Sequence, residues 1–323
     1  MFNRRHFLSG LAATSISSLT FAQQAFPSKP IRILVPFGAG GVADLTARAV
    51  GERLAERLGQ SVVIDNRPSA GGIVAGDLVA KAEPDGHTLL LMSNGTAVSA
   101  GLFKSLPFNP RTDFAPISLL GLFDMAVVVP DGSKHQSISE LLAHAKANPG
   151  KLNLGTINIG STQNLAAELM KSQSGMDVQI VPFNGTPALL NALRGGQIDF
   201  AVEILGPLKP QINAKTIRLL AVMGDQRPKE WPEVPALRES PGLGGFNVSS
   251  WNALAAPAKT PKAVVDRLAT EVAQVIADPE LIKRLAGLQV IAKSSTPAQL
   301  AQLLDRDINR WREVILKAGI PQQ

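Results

Sequence analysis

Short apolar runs alternate along the chain with segments whose apolar residues recur at helical spacing. The first run covers residues 31–35, and three glycines separate it from a segment, 45–58, whose apolar side chains fall near one face. Branched apolar runs of this length are typical of buried strands, and a period near 3.6 is typical of amphipathic helices. The pattern predicts a strand, a glycine turn and a helix that ends at Gly59.

The same alternation continues through the chain. Further strands are predicted over 61–64, 87–92, 125–130, 152–154, 178–183, 198–202 and 217–222, and residues 248–257 are expected to cross back to the first half of the molecule. Residues 107–116 are rich in proline and are predicted to be irregular. This order is typical of an α/β fold with mainly parallel sheets flanked by helices, in which ligands bind outside the carboxyl ends of the strands.

The length of the chain favours two lobes rather than one. A chain of about 300 residues buries a large core but usually splits into two units. The pattern restarts after residue 126 and returns near residue 250. We therefore expect one lobe made of residues 23–126 with 250–323, a second lobe made of residues 127–249, and a cleft between them.

The N-terminus has the order of an export signal. Arg4 and Arg5 precede an apolar run to about Phe21, which is too short and too rich in serine and threonine for a membrane span. Positive, apolar and then small residues predict a secretory signal, and the arginine pair before Phe-Leu resembles a twin-arginine signal. We expect cleavage after Ala22 and a location in the periplasm; a retained N-terminal anchor is the alternative.

Composition excludes several classes of protein. Removal of the signal takes away two arginines and no acid, so the formal net charge falls from +6 to a mild +4. Lysine and arginine are scattered, tyrosine is absent and aromatic residues are 5%, which argues against a nucleic-acid partner. The chain has no cysteine, so disulfides and thiol chemistry are absent.

The glycine turn after the first strand has the features of an anion site. Gly38, Gly40 and Gly41 let a ligand approach the backbone closely. The helix that follows presents unpartnered N–H groups and the positive end of its dipole. We expect residues 38–43 to hold a carboxylate or phosphate, and an ordinary strand-to-helix turn is the alternative.

The same turn also fits an enzyme. Gly38-x-Gly40-x-x-Ala43 matches the dinucleotide fingerprint after a strand, and Asp65 ends the next strand at nearly the distance of a ribose-binding acid. This pattern favours an exported nicotinamide-dependent oxidoreductase. That hypothesis gives no role to the second glycine turn, described below. The oxidoreductase stays open as the alternative function.

Other strand ends carry small polar residues. Ser93 and Asn94 end the third strand and are candidate donors, although they also suit a helix cap. Gly160 and Ser161 form a second glycine-and-hydroxyl turn before a helix, with the same physics as the first. Glu203 ends a later strand, where it can meet a ligand amine or hydroxyl or lie in solvent.

Residues with catalytic or metal-binding chemistry are sparse. The four histidines show no ligand spacing, so we expect no metal site. Neither a G-x-S-x-G elbow nor a phosphate-binding G-x-x-x-x-G-K-[ST] motif occurs. Backbone N–H groups and small hydroxyl or amide side chains hold an anion without changing it, which favours a binding protein with no cofactor.

Taken in order, several weak motifs resemble one family. The segments are residues 35–48 with Val-Pro-Phe-Gly-Ala-Gly-Gly-x-x-Asp, 66–72, 84–90, 160–165, 181–185, 195–199 and 251–261. Their order resembles the Bug-type extracytoplasmic binding proteins of the tripartite tricarboxylate transporter family, across the whole mature chain. The resemblance implies a two-lobed, type II-like periplasmic binding protein that closes on a small mono- or dicarboxylate.

The resemblance also implies a set of ligand-binding residues and a partner. Family members hold one carboxylate with the first glycine loop, and the second lobe contributes its own turn. Here Phe183 replaces the usual tyrosine and Asn164 the common histidine, and both are expected near the cleft. The expected site residues are Phe37, Gly38, Ala39, Gly40, Gly41, Asp44, Ala70, Ser93, Asn94, Gly160, Ser161, Asn164, Phe183 and Glu203. The expected partners are membrane permease subunits or, as an alternative, a sensor protein.

Overall fold

The structure is a computed structural model that describes residues 26–317 and 319–323. The predicted export signal and its cleavage site lie outside these residues. The strands are β1 (Ile31–Val35), β2 (Val62–Asn66), β3 (Thr88–Ser93), β4 (Phe114–Pro130), β5 (Asn153–Ile157), β6 (Gln179–Phe183), β7 (Phe200–Ile204), β8 (Ile217–Val222), β9 (Ser249–Pro257) and β10 (Ile291–Ala292).

Helices connect most of these strands, as the sequence predicts. They are α1 (Val42–Leu58), α2 (Ile73–Ala80), α3 (Asn94–Leu102), α4 (Ile138–Ala147), α5 (Thr162–Ser174), α6 (Thr186–Arg194), α7 (Leu205–Asn213), α8 (Lys262–Ile276), α9 (Pro279–Gly287) and α10 (Pro297–Lys317). Helix α1 ends where expected, because Gly59 adopts the left-handed conformation that closes a helix.

The strands form two sheets that share β4. In the first sheet β2, β1 and β3 are parallel, and β9, β4 and β10 add antiparallel pairs. In the second sheet β6, β5 and β7 are parallel, and β4 and β8 are antiparallel. The two-lobed α/β fold is therefore confirmed. Its parallel strands lie on the outer side of each sheet, and its antiparallel strands lie where the sheets join.

Strand β4 carries the chain from one sheet to the other. Its residues 114–124 pair with β9, whereas residues 125–130 pair with β7 and β8. The chain returns between β8 and β9. The predicted lobe boundaries at 126 and 250 lie close to these two crossings and stay a prediction.

The prediction for the residues before β4 is wrong in part. We expected an irregular segment over 107–116 and a strand over 125–130. Instead, β4 begins at Phe114, inside the first segment, and continues to Pro130. Pro116 is tolerated because the register with β9 shifts between Pro116 and Ser118, and proline fits a strand at such an irregularity.

The last long helix braces the first lobe. The side chains of Leu304, Ile308, Trp311 and Ile315 are buried along one stripe of α10, as their spacing predicts. The Trp311 indole N–H donates to the Asn94 side-chain oxygen at 2.8 Å, which ties α10 to the start of α3. Through this bond, core packing fixes a helix N-terminus that faces the cleft.

None of the helices in the described part of the chain combines the length and the apolar character that crossing a bilayer requires.

Candidate functional site

The carboxyl ends of the parallel strands in both sheets face one another and enclose two neighbouring cavities. We name the cavities by one polar residue each. The Glu203 cavity is lined by Phe37, Gly38, Gly41, Val42, Ala43, Ser93, Phe123, Ile157, Thr162, Gln163, Gly185, Thr186, Glu203, Ile204, Ser250 and Asn252. The Asn158 cavity is lined by Pro36, Phe37, Ser69, Gly71, Gly72, Gly76, Leu90, Ser93, Gly95, Thr96, Phe108, Asn158, Ile159, Gly160 and Ser161. Phe37 and Ser93 line both.

Helix N-termini from both lobes converge on the Glu203 cavity. Val42 and Ala43 begin α1 in the first lobe, and Thr162 and Gln163 begin α5 in the second. The N–H groups of a first helical turn have no acceptor within the helix, and the helix dipole places partial positive charge there. Among the residues that the structure describes, no lysine, arginine or histidine lines this cavity. An anion bound here is held by backbone dipoles rather than by a cationic side chain.

The Glu203 side chain is buried at the carboxyl end of β7. Its Oε1 atom accepts hydrogen bonds from Gln163 Nε2 and from the backbone N–H of Ile204, each at 2.7 Å. The Thr186 hydroxyl donates to Oε2 at 2.9 Å. Burial raises the pKa of the Glu203 carboxyl above its ordinary value, and these three hydrogen bonds only partly oppose the rise.

Strand β9 brings further polar groups to the same cavity. The Ser250 hydroxyl lies 3.1 Å from the Thr162 hydroxyl across the cleft. The Asn252 side chain is 1% exposed, and its Nδ2 atom has no hydrogen-bond partner among the described residues. A buried amide donor without an acceptor is unfavourable by about 1–3 kcal/mol, so Asn252 is suited to receive a ligand oxygen.

The Asn158 cavity repeats this arrangement around the start of α3. Ser93 caps α3 by accepting a hydrogen bond from the Gly95 N–H at 3.1 Å. The Oδ1 atom of Asn158 is buried and has no partner within the described chain. This cavity therefore offers an acceptor beside a helix N-terminus.

The two walls of the cleft touch at glycines. The Gly71 N–H in the first lobe donates to the Ile159 carbonyl in the second at 2.7 Å. A methyl group placed on Gly38 would lie 2.8 Å from the carbonyl oxygen of Asn184, which belongs to the opposite wall. Such close approach of two backbones requires glycine, because any side chain would hold the walls apart.

The Asp44 side chain holds the first glycine loop in place through a hydrogen bond. Its carboxylate accepts from the Gly40 N–H at 3.0 Å and forms an ion pair with Arg48 at 3.0 Å. Burial raises the pKa of Asp44, but the hydrogen bonds from Arg48, Gly40 and Asn66 outweigh burial and leave that pKa below its ordinary value. Asp44 thus holds the Gly40 N–H in place, and the ligand contact expected of Asp44 stays a prediction.

Half of the residues expected from the sequence line the two cavities. These residues are Phe37, Gly38, Gly41, Ser93, Gly160, Ser161 and Glu203. The others are absent from both linings and are Ala39, Gly40, Asp44, Ala70, Asn94, Asn164 and Phe183. Ala70 is exposed at the turn after β2, while its neighbours Ser69, Gly71 and Gly72 line the Asn158 cavity.

Several of the residues absent from the linings support the loops that form the cavities. The Asn164 side-chain oxygen accepts from the Gly160 N–H at 3.2 Å, and the Phe183 carbonyl accepts from the Asn158 N–H at 3.0 Å. The Asn94 side-chain oxygen accepts a hydrogen bond from the Trp311 indole. Their contacts predict effects on loop geometry rather than direct ligand binding.

Sequence reasoning missed Asn158, Thr162, Gln163, Ser250 and Asn252 as site residues. A signal for two of them exists, since Ser250 and Asn252 are polar, two residues apart and inside a run that otherwise reads as buried. Residues two apart share one face of a strand, so this spacing indicates a polar face on β9.

The dinucleotide alternative finds little support in this geometry. Its ribose-binding candidate, Asp65, accepts hydrogen bonds from Arg32 at 2.6 Å and from Arg67 at 2.8 Å. The bond from Arg67 contributes most to lowering the pKa of Asp65. Within the described residues no group of three or more histidine, aspartate or glutamate side chains is placed to hold a metal ion.

Comparison with known proteins gives a consistent result. Residues 46–320 match the model of the tripartite tricarboxylate transporter family receptor. A Pseudomonas protein encoded in the tcbD-tcbE intergenic region is 36% identical over 97% of this chain and 94% of its own length.

Solved structures extend the match to the fold. The periplasmic binding protein BugD is 32% identical, with a TM-score of 0.88 over 92% of this chain and all of BugD. MatC from Rhodopseudomonas palustris, solved with bound malate, is 31% identical with a TM-score of 0.85 over 90% of this chain and all of MatC. The chain therefore belongs to the tripartite tricarboxylate transporter receptor family of periplasmic solute-binding proteins.

Proposed function

We propose that this protein captures a small mono- or dicarboxylic acid in the cleft between its two lobes and delivers the acid to a membrane permease. One observation carries the proposal: the N-termini of α1 and α5, one from each lobe, line a single cavity, and none of its described lining residues is cationic. A carboxylate bound between them neutralises both helix ends and joins the two walls.

The relatives support the class of ligand. MatC binds malate, a small hydroxy-dicarboxylate, and shares the fold of this chain at 31% identity. Two adjacent cavities on either side of Phe37 present two separate sets of polar groups, which suits a ligand with two polar ends. The unpartnered Asn252 donor is suited to one carboxylate oxygen.

We propose a binding protein rather than an enzyme. The groups that line both cavities are backbone N–H groups, hydroxyls, amides and one carboxylate, and that set holds an anion without activating a nucleophile. The nicotinamide-dependent oxidoreductase is less well supported, because the Asp65 carboxylate already accepts hydrogen bonds from Arg32 and Arg67. In addition, the matching family consists of transport receptors.

The location and the partner follow from the family. Residues 1–22 are proposed to direct export, with a twin-arginine signal cleaved after Ala22. The two lobes are proposed to close about the crossings near residues 126 and 250, as hinge-bending binding proteins do. A permease that recognises the closed form is the proposed partner, and a sensor protein is the alternative.

A thermal-shift screen tests the proposal. Each acid is compared with its own amide, for example succinate with succinamide, because the amide keeps the size and loses the charge. We expect the melting temperature to rise with at least one small carboxylate and to stay unchanged with every amide. Equal shifts with acids and amides, or stabilisation by nicotinamide dinucleotides alone, would overturn the proposal.

A further inference from the structure

One buried carboxylate has no cationic partner among the residues that the structure describes. Among the described residues, four carboxylate side chains are less than 9% exposed: Asp44, Glu203, Glu271 and Asp307. Arg48, Arg57 and Arg306 lie 3.0, 2.7 and 3.3 Å from the first, third and fourth of these. Glu203 alone has no ion-pair partner in the described chain, although it is 1% exposed.

Buried charges are normally paired, because an isolated ionised carboxylate loses its hydration on burial. Glu203 receives three hydrogen bonds, all from neutral donors. These bonds favour the ionised form of the carboxylate but supply no positive charge. The group is thus prepared for a cation that the protein itself does not provide.

The position of Glu203 shows where that cation would come from. Glu203 lines the cavity proposed to hold the ligand, and no other described residue of that lining is titratable. The start of α1 and the unpartnered Asn252 donor line the same cavity from the first lobe. The cleft is bipolar: the N-termini of α1 and α5 and the Asn252 amide present hydrogen-bond donors, and Glu203 presents a carboxylate from the second lobe.

We propose that the ligand carries an ammonium group as well as a carboxylate, and that Glu203 binds the ammonium group. The substrate class is then a small amino carboxylate. Its carboxylate lies against the N-terminus of α1 and Asn252, and its ammonium group donates to the remaining lone pair of Glu203 Oε2. This inference rests on the proposed function, since it assumes that the ligand lies in the cleft.

Calorimetry with matched acids tests the inference. The probes are L-aspartate against succinate, L-glutamate against glutarate, and the remaining L-amino acids against their deaminated counterparts. We expect the wild-type protein to bind at least one amino acid 10-fold or more tighter than its deaminated partner. A protonated Glu203 that accepts plain carboxylates would reverse this preference.

Substitution of Glu203 separates charge from shape. Glu203→Gln keeps the size and hydrogen-bond acceptor, so we expect it to weaken amino-acid binding at least 10-fold while affinity for the deaminated acid stays equal or improves. Glu203→Asp keeps the charge and should retain part of the preference, which distinguishes a charge effect from misfolding. Glu168→Gln on α5 is the matched control, because Glu168 lies outside both cavity linings, and it should change neither affinity.

The outcomes distinguish two failures. If the wild-type protein binds plain carboxylates but no amino acid, or if Glu203→Gln leaves the preference intact, the inference about the ammonium group is wrong and the proposed function survives. If no carboxylate of either kind binds, the proposed function fails as well.

Discussion

Asp44 and Glu203 are buried carboxylates on opposite walls of one cleft, and their surroundings differ in one respect. Asp44 has Arg48 within 3.0 Å, so its charge is balanced inside the first lobe. Glu203 is surrounded by neutral donors from Gln163, Thr186 and Ile204. As a result the pKa of Asp44 lies below its ordinary value and the pKa of Glu203 lies above it.

The difference shows how two similar side chains acquire different roles. A carboxylate with its own cation supports the fold, because its hydrogen bonds are satisfied whether or not a ligand is present. A carboxylate without one is hydrogen-bonded, but its charge is balanced only when a cationic group binds beside it. Asp44 therefore shapes the glycine loop through Gly40, and Glu203 remains available to a ligand.

The largest effect is expected from holding the two walls apart. Gly38→Ala places a methyl group 2.8 Å from the Asn184 carbonyl oxygen, which is too close for carbon and oxygen. Because the lobes can no longer meet, we expect the Kd for the ligand to rise about 100-fold, or ~2.7 kcal/mol, with little loss of stability.

Gly132→Ala is the control for this variant, since a methyl group there meets no atom within 4 Å. Calorimetry on both variants provides the measurement. Wild-type affinity in Gly38→Ala would show that the ligand does not need contact between the Gly38 loop and the Asn184 turn.

The next largest effect concerns the balanced carboxylate. Asp44→Asn removes the charge that pairs with Arg48, so we expect the free energy of unfolding at pH 7 to fall by ~1–2 kcal/mol. The folded-state pKa of Asp44 is lowered, so its contribution is complete above the ordinary pKa and is lost as the pH falls through the lowered value. Urea unfolding from pH 7 downward should show the two proteins converging in acid; a gap that stays constant would contradict this assignment.

A smaller effect is expected at the second glycine turn. The Ser161 hydroxyl donates to the Ile157 carbonyl at 3.0 Å and accepts from the Asn164 N–H at 3.1 Å, so it caps α5 within the second lobe. Ser161→Ala should lower stability by ~1 kcal/mol and change ligand affinity less than twofold. Thermal unfolding and calorimetry separate the two, and a 10-fold loss of affinity at unchanged stability would make Ser161 a direct ligand contact.

The smallest effect is expected at Glu203, where substitution should stabilise the ligand-free protein, whereas substitution of Asp44 should destabilise it. The folded-state pKa of Glu203 is raised, so its ionised form destabilises the ligand-free protein as the pH rises from the ordinary value through the raised one. Glu203→Gln removes this penalty: its side-chain oxygen can still accept from Gln163 and Ile204, and its NH2 group can donate to the Thr186 hydroxyl. We expect the melting temperature of the ligand-free protein at pH 8 to rise by about 1–2 °C. A clear fall would mean that Glu203 supports the fold, as Asp44 does.

The first wall could be predicted from the sequence because its signals are local. A strand, three glycines and a helix lie within residues 31–58, and the structure places Gly38 and Gly41 at the cleft. The caps at Ser93 and Ser161 could be predicted for the same reason, since a capping residue contacts N–H groups only two or three positions ahead.

The distinguishing feature of Glu203 could not be predicted from the sequence. It depends on the neighbours of Glu203 being neutral, and those neighbours come from α5, α6 and β7, which are separate segments of the sequence. Nothing local separates it from Asp44, which pairs with Arg48. Strand β4 was shortened in the prediction because Pro116 reads as a break, whereas the register shift that accommodates it forms only against β9.

Mass spectrometry of the small molecule released when periplasm-purified protein is denatured tests the nature of the cleft most directly. We expect a small amino carboxylate in near-stoichiometric amount, whose ammonium group provides the cation that Glu203 lacks. A plain di- or monocarboxylate would leave the binding function intact and contradict the role of Glu203. A nicotinamide dinucleotide would contradict both.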